Sequence, residues 1–281
     1  MLKVWTQCEE NENLNDKEKK LKVRELRKLI TESDSNARTD DIYLIRWLNC
    51  RNWNVDAAYR RRVKHYNFRK LHPDWYPCKK FPEYEPILKK NISFMLEDRD
   101  KNGRRVYLAR ANRVNLEEFS MEEKIQMDSL WFDMVCNELE TIENGVSVII
   151  DMKGVPWNTV RWFTIPQNIK ISSRYAGFTP LKYVEIHILN TSPLANVIIA
   201  VSFPFLSEGL KERIHFHRAN MKSLHKYVGK DCLPREYGGQ KKLNFGSIYS
   251  KLYKAYNCNP SDRWFDEIEE NQDVDELSKK C

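Results

Sequence analysis

Few residues of this chain have the spacing that reactive chemistry needs. His215-Phe-His217 puts two of the six histidines on one face of an extended segment, with His225 nearby. A metal site recruits a further Cys, Asp or Glu at close spacing. None stands beside this pair, so no metal ligands are assigned and the imidazoles read as structural or surface groups. Asp151 ends the β-branched run Val146-Ser-Val-Ile-Ile150, where α/β proteins often keep a catalytic carboxylate. Met-Lys-Gly154 follows it and reads as a tight turn. GxSxG, HExxH, GxxxxGK[ST] and GxGxxG are all absent from the sequence. No catalytic residue or cofactor is therefore assigned, and the chain reads as a non-enzyme.

Charge offers a second kind of chemistry. There are 47 Lys and Arg against 40 Asp and Glu in 281 residues, a net +7. From Asp262 onward eight acids face three bases, which leaves the rest of the chain at +12. A surplus of that size favours an anionic partner, either a nucleic acid or an acidic membrane face. Arg60, Arg61, Arg62, Lys64, Arg69 and Lys70 fall together on what reads as the solvated side of one helix. Nucleic-acid binding would call for a recognition helix, an RNP-like strand or zinc spacing, and the sequence has none. Seven scattered cysteines without a CxxC pair argue against a disulfide framework. No apolar run is long enough for a signal peptide or a membrane span. A cytoplasmic, thiol-reducing location is the expectation.

The elements that carry these groups follow from periodicity and capping. The first third reads as helices: 16–31, one capped by Asp40 or Asp41, and one capped by Asn54 and ended by His72-Pro73. Asp98 to Gly103 is a turn, and 105–110 a strand. A long amphipathic helix is predicted over 121–143, a buried strand over 146–150, helix over 157–176 and a strand over 183–189. Strands alternating with long helices argue for an α/β layer architecture with parallel pairing. The acidic tail from Asp262 reads as loosely ordered.

One segment fits no ordinary surface role. Ser192 is a good N-cap and Pro193 a good first helical residue. The following run, Val197 to Leu206, is nearly apolar on every side, and a polar cluster of Ser207, Glu208, Lys211, Glu212 and Arg213 follows at once. Such a helix is either part of the core or a cover over a pocket that touches a membrane. It is too short to span one.

Together these pieces resemble the CRAL-TRIO family, in the branch of α-tocopherol transfer protein and cellular retinaldehyde-binding protein. The matching pieces occur in family order. They are Asp40-Asp-Ile-Tyr-Leu-Ile-Arg-Trp-Leu48, the D-x-x-G-R turn at Asp100 to Arg104, Ile149-Ile-Asp-Met-Lys-Gly154, and Ile186-His-Ile-Leu-Asn190. Then come Pro204-Phe-Leu-Ser207, Lys211-Glu-Arg-Ile-His215 and Leu233-Pro-Arg-Glu-Tyr-Gly-Gly239. The resemblance implies an N-terminal helical domain (1–90), an α/β lipid-binding domain with a mostly parallel sheet (91–250) and an acidic tail (251–281). The segment at 193–206 falls where the family has a mobile gate helix.

Projecting the family's apolar wall onto this sequence gives Ile125, Phe132, Val146, Ile150, Phe163, Ile171 and Tyr175. From the later elements it adds Leu181, Ile186, Leu194, Ile198, Ile199 and Phe203. Phe132 stands where the tocopherol-binding member has a small serine. The positions implied for a phosphoinositide headgroup are Arg60, Arg69, Lys182 and Arg213, with Lys211 adjacent, while Gly209 and Val184 replace basic residues of that branch. Arg218 replaces the glycine that usually follows the histidine pair. The function implied is a cytosolic carrier of a tocopherol-, retinoid- or similar small lipid, with transient docking at anionic membranes. The alternatives are a nucleic-acid module using the 60–70 face, or a lipid-modifying enzyme with Asp151 or His187 as acid or base.

The physics of a carrier is independent of ancestry. A lipid leaving a bilayer for water loses about 0.8 kcal/mol per CH₂. Fifteen such groups make free diffusion negligible. The carrier must offer a closed apolar space that opens at a membrane, and an apolar cover with a cationic rim meets both needs.

Overall fold

The structure, a computed structural model, describes residues 14–177 and 180–258, and the side chains of these except 175–177. The tail from Asp262 lies outside the described residues. Three capped helices form the N-terminal part. In α1 (Asp16–Ser33) the Asn15 side chain accepts from Lys17 N and Glu18 N while Glu18 reaches back to Asn15 N. Asp40 caps α2 (Asp41–Asn49), and Asn54 caps α3 (Val55–Leu71). These helices enclose a core of their own around Leu26, Ile30, Leu44, Trp47 and Leu48. A 3₁₀ turn, Pro73–Trp75, and α4 (Phe81–Leu88) lead into the sheet.

The sheet has five strands in sequential order: β1 (Ser93–Arg99), β2 (Arg105–Arg110), β3 (Val146–Asp151), β4 (Val184–Leu189) and β5 (Ile214–Arg218). β1 pairs antiparallel with β2, and all later pairings are parallel. Asp100 builds the β1–β2 turn: Oδ1 accepts from Asn102 N and Arg104 N, and Oδ2 accepts from Ser147 Oγ on β3. Gly103 there has φ +74, a conformation that L side chains rarely adopt.

Parallel crossovers are right-handed, so a sheet laid down in sequential order carries its crossover helices on one face. α5 (Met121–Val135) and α6 (Leu139–Asn144) join β2 to β3. α7 (Ile165–Gly177) joins β3 to β4, and α8 (Pro193–Ser202) with α9 (Glu208–Lys211) joins β4 to β5. Accordingly Phe132 of α5 packs on Tyr107 of β2, and α8 residues cluster with Ile186 and Ile188 of β4. The opposite face receives α10 (Met221–Val228), and α11 (Phe245–Cys258) packs along β1, with Phe94 against Phe245.

The structure corrects several expectations. The helix expected over 121–143 is broken between Val135 and Leu139. Glu138 leaves the helical region because its carboxylate is drawn to Arg105, in a bidentate pair with both contacts at 2.7 Å, and to Arg99 at 2.8 Å. β1 goes beyond the strands expected. α11 runs through the boundary placed at residue 250, held by buried Ile248 and Leu252.

Candidate functional site

Register fixes which side chains share the helix-covered face. Residues paired across parallel strands point the same way. Val148, Ile186 and Ile214 form one row, and Ile150, Ile188 and Phe216 the next. Tyr107 and Ala109 extend these rows onto β2. A largely apolar floor, rich in isoleucine, thus lies on the face that carries the crossover helices.

α8 covers that floor. Ser192 Oγ accepts from Ala195 N and Pro193 opens the helix. Ala195 and Ile198 are buried, Leu194 and Ile199 half-buried, and all four join a cluster with Met152, Val155 and Ile188. Ile150 and Ile186 belong to the same cluster yet are only half-buried, although each sits on an interior strand beneath a helix. Apolar surface in the middle of a covered sheet therefore faces space rather than side chains. Leaving it so costs about 25 cal/mol per Å², which a hydrophobic occupant would recover.

Six of the expected wall residues (Ile150, Phe163, Ile186, Leu194, Ile198 and Ile199) come together here. Phe132 packs from α5 against Tyr107, and Phe203 lies 6.3 Å from Phe216. Val146 and Leu181 belong instead to the main core, fully or nearly buried. Ile125 and Ile171 cluster with Phe68 and Trp75. The side chain of Tyr175 is outside the described residues.

The outer side of the cover is apolar too. Val197 is 50% exposed and Val201 37%, on the face of α8 turned away from the sheet. Ile165 and Ile169 are exposed on neighbouring α7, and Trp157 is 73% exposed ahead of it. Large apolar groups exposed on adjacent elements mark a contact surface. Ser172 Oγ of α7 donates to the Phe205 carbonyl, which ties the segment after α8 to α7.

The cationic positions divide. Lys182 and Arg213 meet: Arg213 Nη1 donates to the Lys182 carbonyl at 3.1 Å, and both cations lie over the Tyr183 ring. Lys211 pairs with Glu208 at 2.8 Å and lies over Phe203. Arg60 is exposed on α3. Arg69 is not: it is buried, with its guanidinium 4.7 Å from the Tyr76 ring centre, and Arg174 of α7 lies on the same ring. The expected basic face of α3 is corrected in the same way. Arg61 and Arg62 are buried as well, with Arg62 Nε donating to Tyr43 OH at 2.9 Å. Planar guanidinium groups stack on aromatic faces: Arg62 lies over Tyr66 of the same helix, and Arg69 over Tyr76 beyond it. Leu71, the last residue of this helix, is 74% exposed.

Asp151 is engaged rather than poised. Its Oδ1 accepts from Lys153 N at 3.0 Å and Asn190 Nδ2 at 2.7 Å, and its Oδ2 from Tyr237 OH at 2.8 Å. Burial, with the Asp151 charge and hydrogen bond, pushes the Tyr237 hydroxyl well above its usual range. Thus Asp151 joins the Asp-Met-Lys-Gly turn to the Leu-Pro-Arg-Glu-Tyr-Gly-Gly segment. In that segment a Cβ on Gly239 would fall 1.9 Å from the Leu233 carbonyl oxygen, so only glycine fits.

The histidines face the other side of the sheet. His187 Nδ1 and His217 Nε2 share a 3.0 Å hydrogen bond, His217 Nδ1 meets Ser223 Oγ at 2.8 Å, and His215 Nε2 meets Glu185 Oε2 at 2.6 Å. No group of three His, Cys, Asp or Glu among the described residues has metal-binding geometry. Arg218 stands at φ +51, the left-handed conformation that the family's glycine adopts without strain.

A sequence profile described as the CRAL/TRIO domain matches residues 89–239, just over half of the chain. The chain belongs to this family. It is similar to the "Alpha-tocopherol transfer protein-like" protein of Homo sapiens, 27% identical over 219 residues, covering 77% of this chain and 64% of that one. It is also similar to Clavesin-1 of Xenopus laevis, 27% identical over 205 residues, covering 72% and 61%. The CRAL/TRIO chain described here thus spans less than two thirds of the length of these relatives. Its fold is shared with the crystal structure of Sfh5 at TM-score 0.56 and 14% identity, over 87% of this chain and 98% of that one. The mixed α/β architecture and the mostly parallel sheet read from the sequence agree with this membership.

Proposed function

We propose that this CRAL/TRIO chain is a carrier without a chemical step, which holds a small hydrophobic lipid between its isoleucine floor and α8. The observation that carries this reading is that Ile150 and Ile186 stay half-buried beneath a helix that is apolar on both sides. A helix of that kind can cover the ligand in water and lie against acyl chains at a membrane. The names of the relatives point toward tocopherol-like ligands, and Phe132 makes the wall bulkier than in the tocopherol-binding branch.

Docking is assigned to the apolar patch of α7 and α8 together with Lys182, Lys211 and Arg213. Each cation near an anionic surface contributes about 1 kcal/mol, a scale that suits reversible binding to phosphoinositide headgroups. Arg60 is available to add to this rim, whereas buried Arg69 is assigned a structural part. The carrier would work in the cytoplasm. Among the described residues no disulfide joins Cys50, Cys78, Cys136, Cys232 or Cys258, and no described helix is long and apolar enough to cross a membrane.

Organic extraction of natively purified protein, followed by mass spectrometry with the wash buffer as control, tests the reading. A stoichiometric lipid is expected. An empty protein that also refuses retinoid, tocopherol and phosphatidylinositol would overturn it.

A further inference from the structure

In open α/β sheets, ligands bind outside the carboxyl ends of the strands. Here β2 and β3 end in Arg110 and Asp151, and Asn190 follows β4 directly. Together with Arg113, Lys153 and Glu236 they line a cavity of about 400 Å³. It is separate from the apolar floor, and the lipid reading makes no use of it.

The charges around this cavity are unevenly satisfied. Asp151 is saturated by the three donors described above. Glu236 is taken by Arg110, whose guanidinium lies 5.1 Å from the Phe94 ring centre. Arg110 is only 8% exposed, and its buried Nε has no hydrogen-bond partner. Buried N–H donors are rarely left unpaired. Arg113 and Lys153 are exposed and have no ion pair among the described residues. The cavity thus sets two uncommitted cations, Arg113 and Lys153, beside the Arg110–Glu236 pair, while both of its carboxylates already have partners. Three cations against two carboxylates leave the lining net positive, which favours an anion with several acceptor oxygens, such as a phosphate group.

We propose that this cavity is a second anion site, taking a phosphate monoester between Arg113 and Lys153 with Arg110 behind it. It is distinct from the Lys182–Arg213 pair. Those residues precede β4 and β5, whereas Asn190 follows β4, and six residues at about 3.3 Å each separate the two ends by about 20 Å. A single headgroup cannot reach both. The cavity also adjoins the start of α8: Asn190, at φ +51, is two residues before the Ser192 cap.

The phosphate can belong to a soluble ester or to a lipid headgroup, and glycerol 3-phosphate and phosphatidic acid represent the two. Calorimetry of the full chain with glycerol 3-phosphate, and flotation with phosphatidic acid in phosphatidylcholine vesicles, are compared for three proteins. These are the natural chain, Arg113→Ala/Lys153→Ala, and Lys182→Glu/Arg213→Glu. All four positions lie at the surface or half-buried, and thermal melting checks that each variant folds. Saturable glycerol 3-phosphate binding, weakened at least tenfold by the Arg113/Lys153 change and kept in the Lys182/Arg213 variant, is the expected result. If only vesicle binding responds to the Arg113/Lys153 change, the site stands with the lipid headgroup as its source. Binding that is absent, or unchanged by the Arg113/Lys153 substitutions, overturns the proposal and leaves the carrier reading untouched.

Discussion

Ser172 on α7 donates its hydroxyl hydrogen to the carbonyl of Phe205, just beyond the helix that covers the isoleucine floor. Any outward swing of α8 that carries its C-terminal end along must break this bond. A neutral hydrogen bond contributes about 1 kcal/mol net, equivalent to about a fivefold change in rate if it is lost on the way to opening. Ser172→Ala should therefore speed lipid transfer between vesicles by up to about fivefold while leaving the amount of lipid bound unchanged. An unchanged transfer rate would mean that α8 opens without releasing Phe205.

The two sides of α8 make separable contributions. Val197 and Val201 face outward, and exposed positions of this kind usually shift stability by no more than about 0.5 kcal/mol. The double substitution Val197→Asp/Val201→Asp should leave the melting temperature almost unaltered. Vesicle binding and transfer should fall severalfold, because charge is placed where the helix meets acyl chains. By contrast, Ile198 is 4% exposed and packs inward. Ile198→Gln should lower lipid loading in a protein whose circular dichroism remains native. Loading at the natural level in that variant would remove α8 from the ligand site.

Much of this was legible in the sequence, and the misses have physical causes. The caps at Asp40, Asn54 and Ser192 are local signals, and the helices begin where they predict. The β-branched runs of β3 and β4 likewise identify themselves. The break in the 121–143 helix was not visible because Glu138 is removed from the helix by Arg99 and Arg105, 33 to 39 residues away in sequence. Charge counting placed Arg61, Arg62 and Arg69 in solvent. For Arg62 and Arg69, a sequence shows the guanidinium's charge but not the tyrosine face that receives it. At the site, Ile150, Ile186 and the helix from Pro193 were expected, but the other row residues, such as Val148, Ile188 and Ile214, were not. The cavity lined by Arg110, Arg113, Lys153 and Asn190 is assembled by three separate strand ends and has no contiguous motif.

Phosphoinositide docking makes a prediction about two residues that already touch. Lys182 and Arg213 share the Tyr183 ring. Reversing both charges removes the attraction of each, about 1 kcal/mol apiece, and adds repulsion. Lys182→Glu/Arg213→Glu should weaken binding to vesicles containing phosphatidylinositol bisphosphate by at least about tenfold. The natural protein's binding should itself decline as salt rises, since exposed charges are screened beyond about 8 Å at physiological ionic strength. Salt-independent binding, equal in the variant, would assign docking to the apolar patch alone.

The imidazoles on the far side of the sheet make stability depend on pH. His187 is 1% exposed, and burial, followed by the nearby His217, His215 and Arg104, pushes its pKa from 6.5 down to about 3. His217 is lowered as well, by burial and then by His215. The folded state thus refuses protons that the unfolded chain accepts near pH 6.5. Stability from this source is complete above that pH and is lost as the pH falls from 6.5 toward 3, by up to about 1.4 kcal/mol per pH unit for each such group. Glu138 works in a lower range. Burial opposes its charge, but the Arg105 and Thr141 hydrogen bonds prevail and hold its carboxyl below the ordinary value, so it stays ionised between pH 7 and pH 5. Urea midpoints measured over that interval should fall for the natural chain. In His187→Gln the midpoint should start lower at pH 7, because the His217 bond is altered, yet decline less steeply. A slope as steep in the variant as in the natural chain would place the titration elsewhere than in the His187–His217 pair.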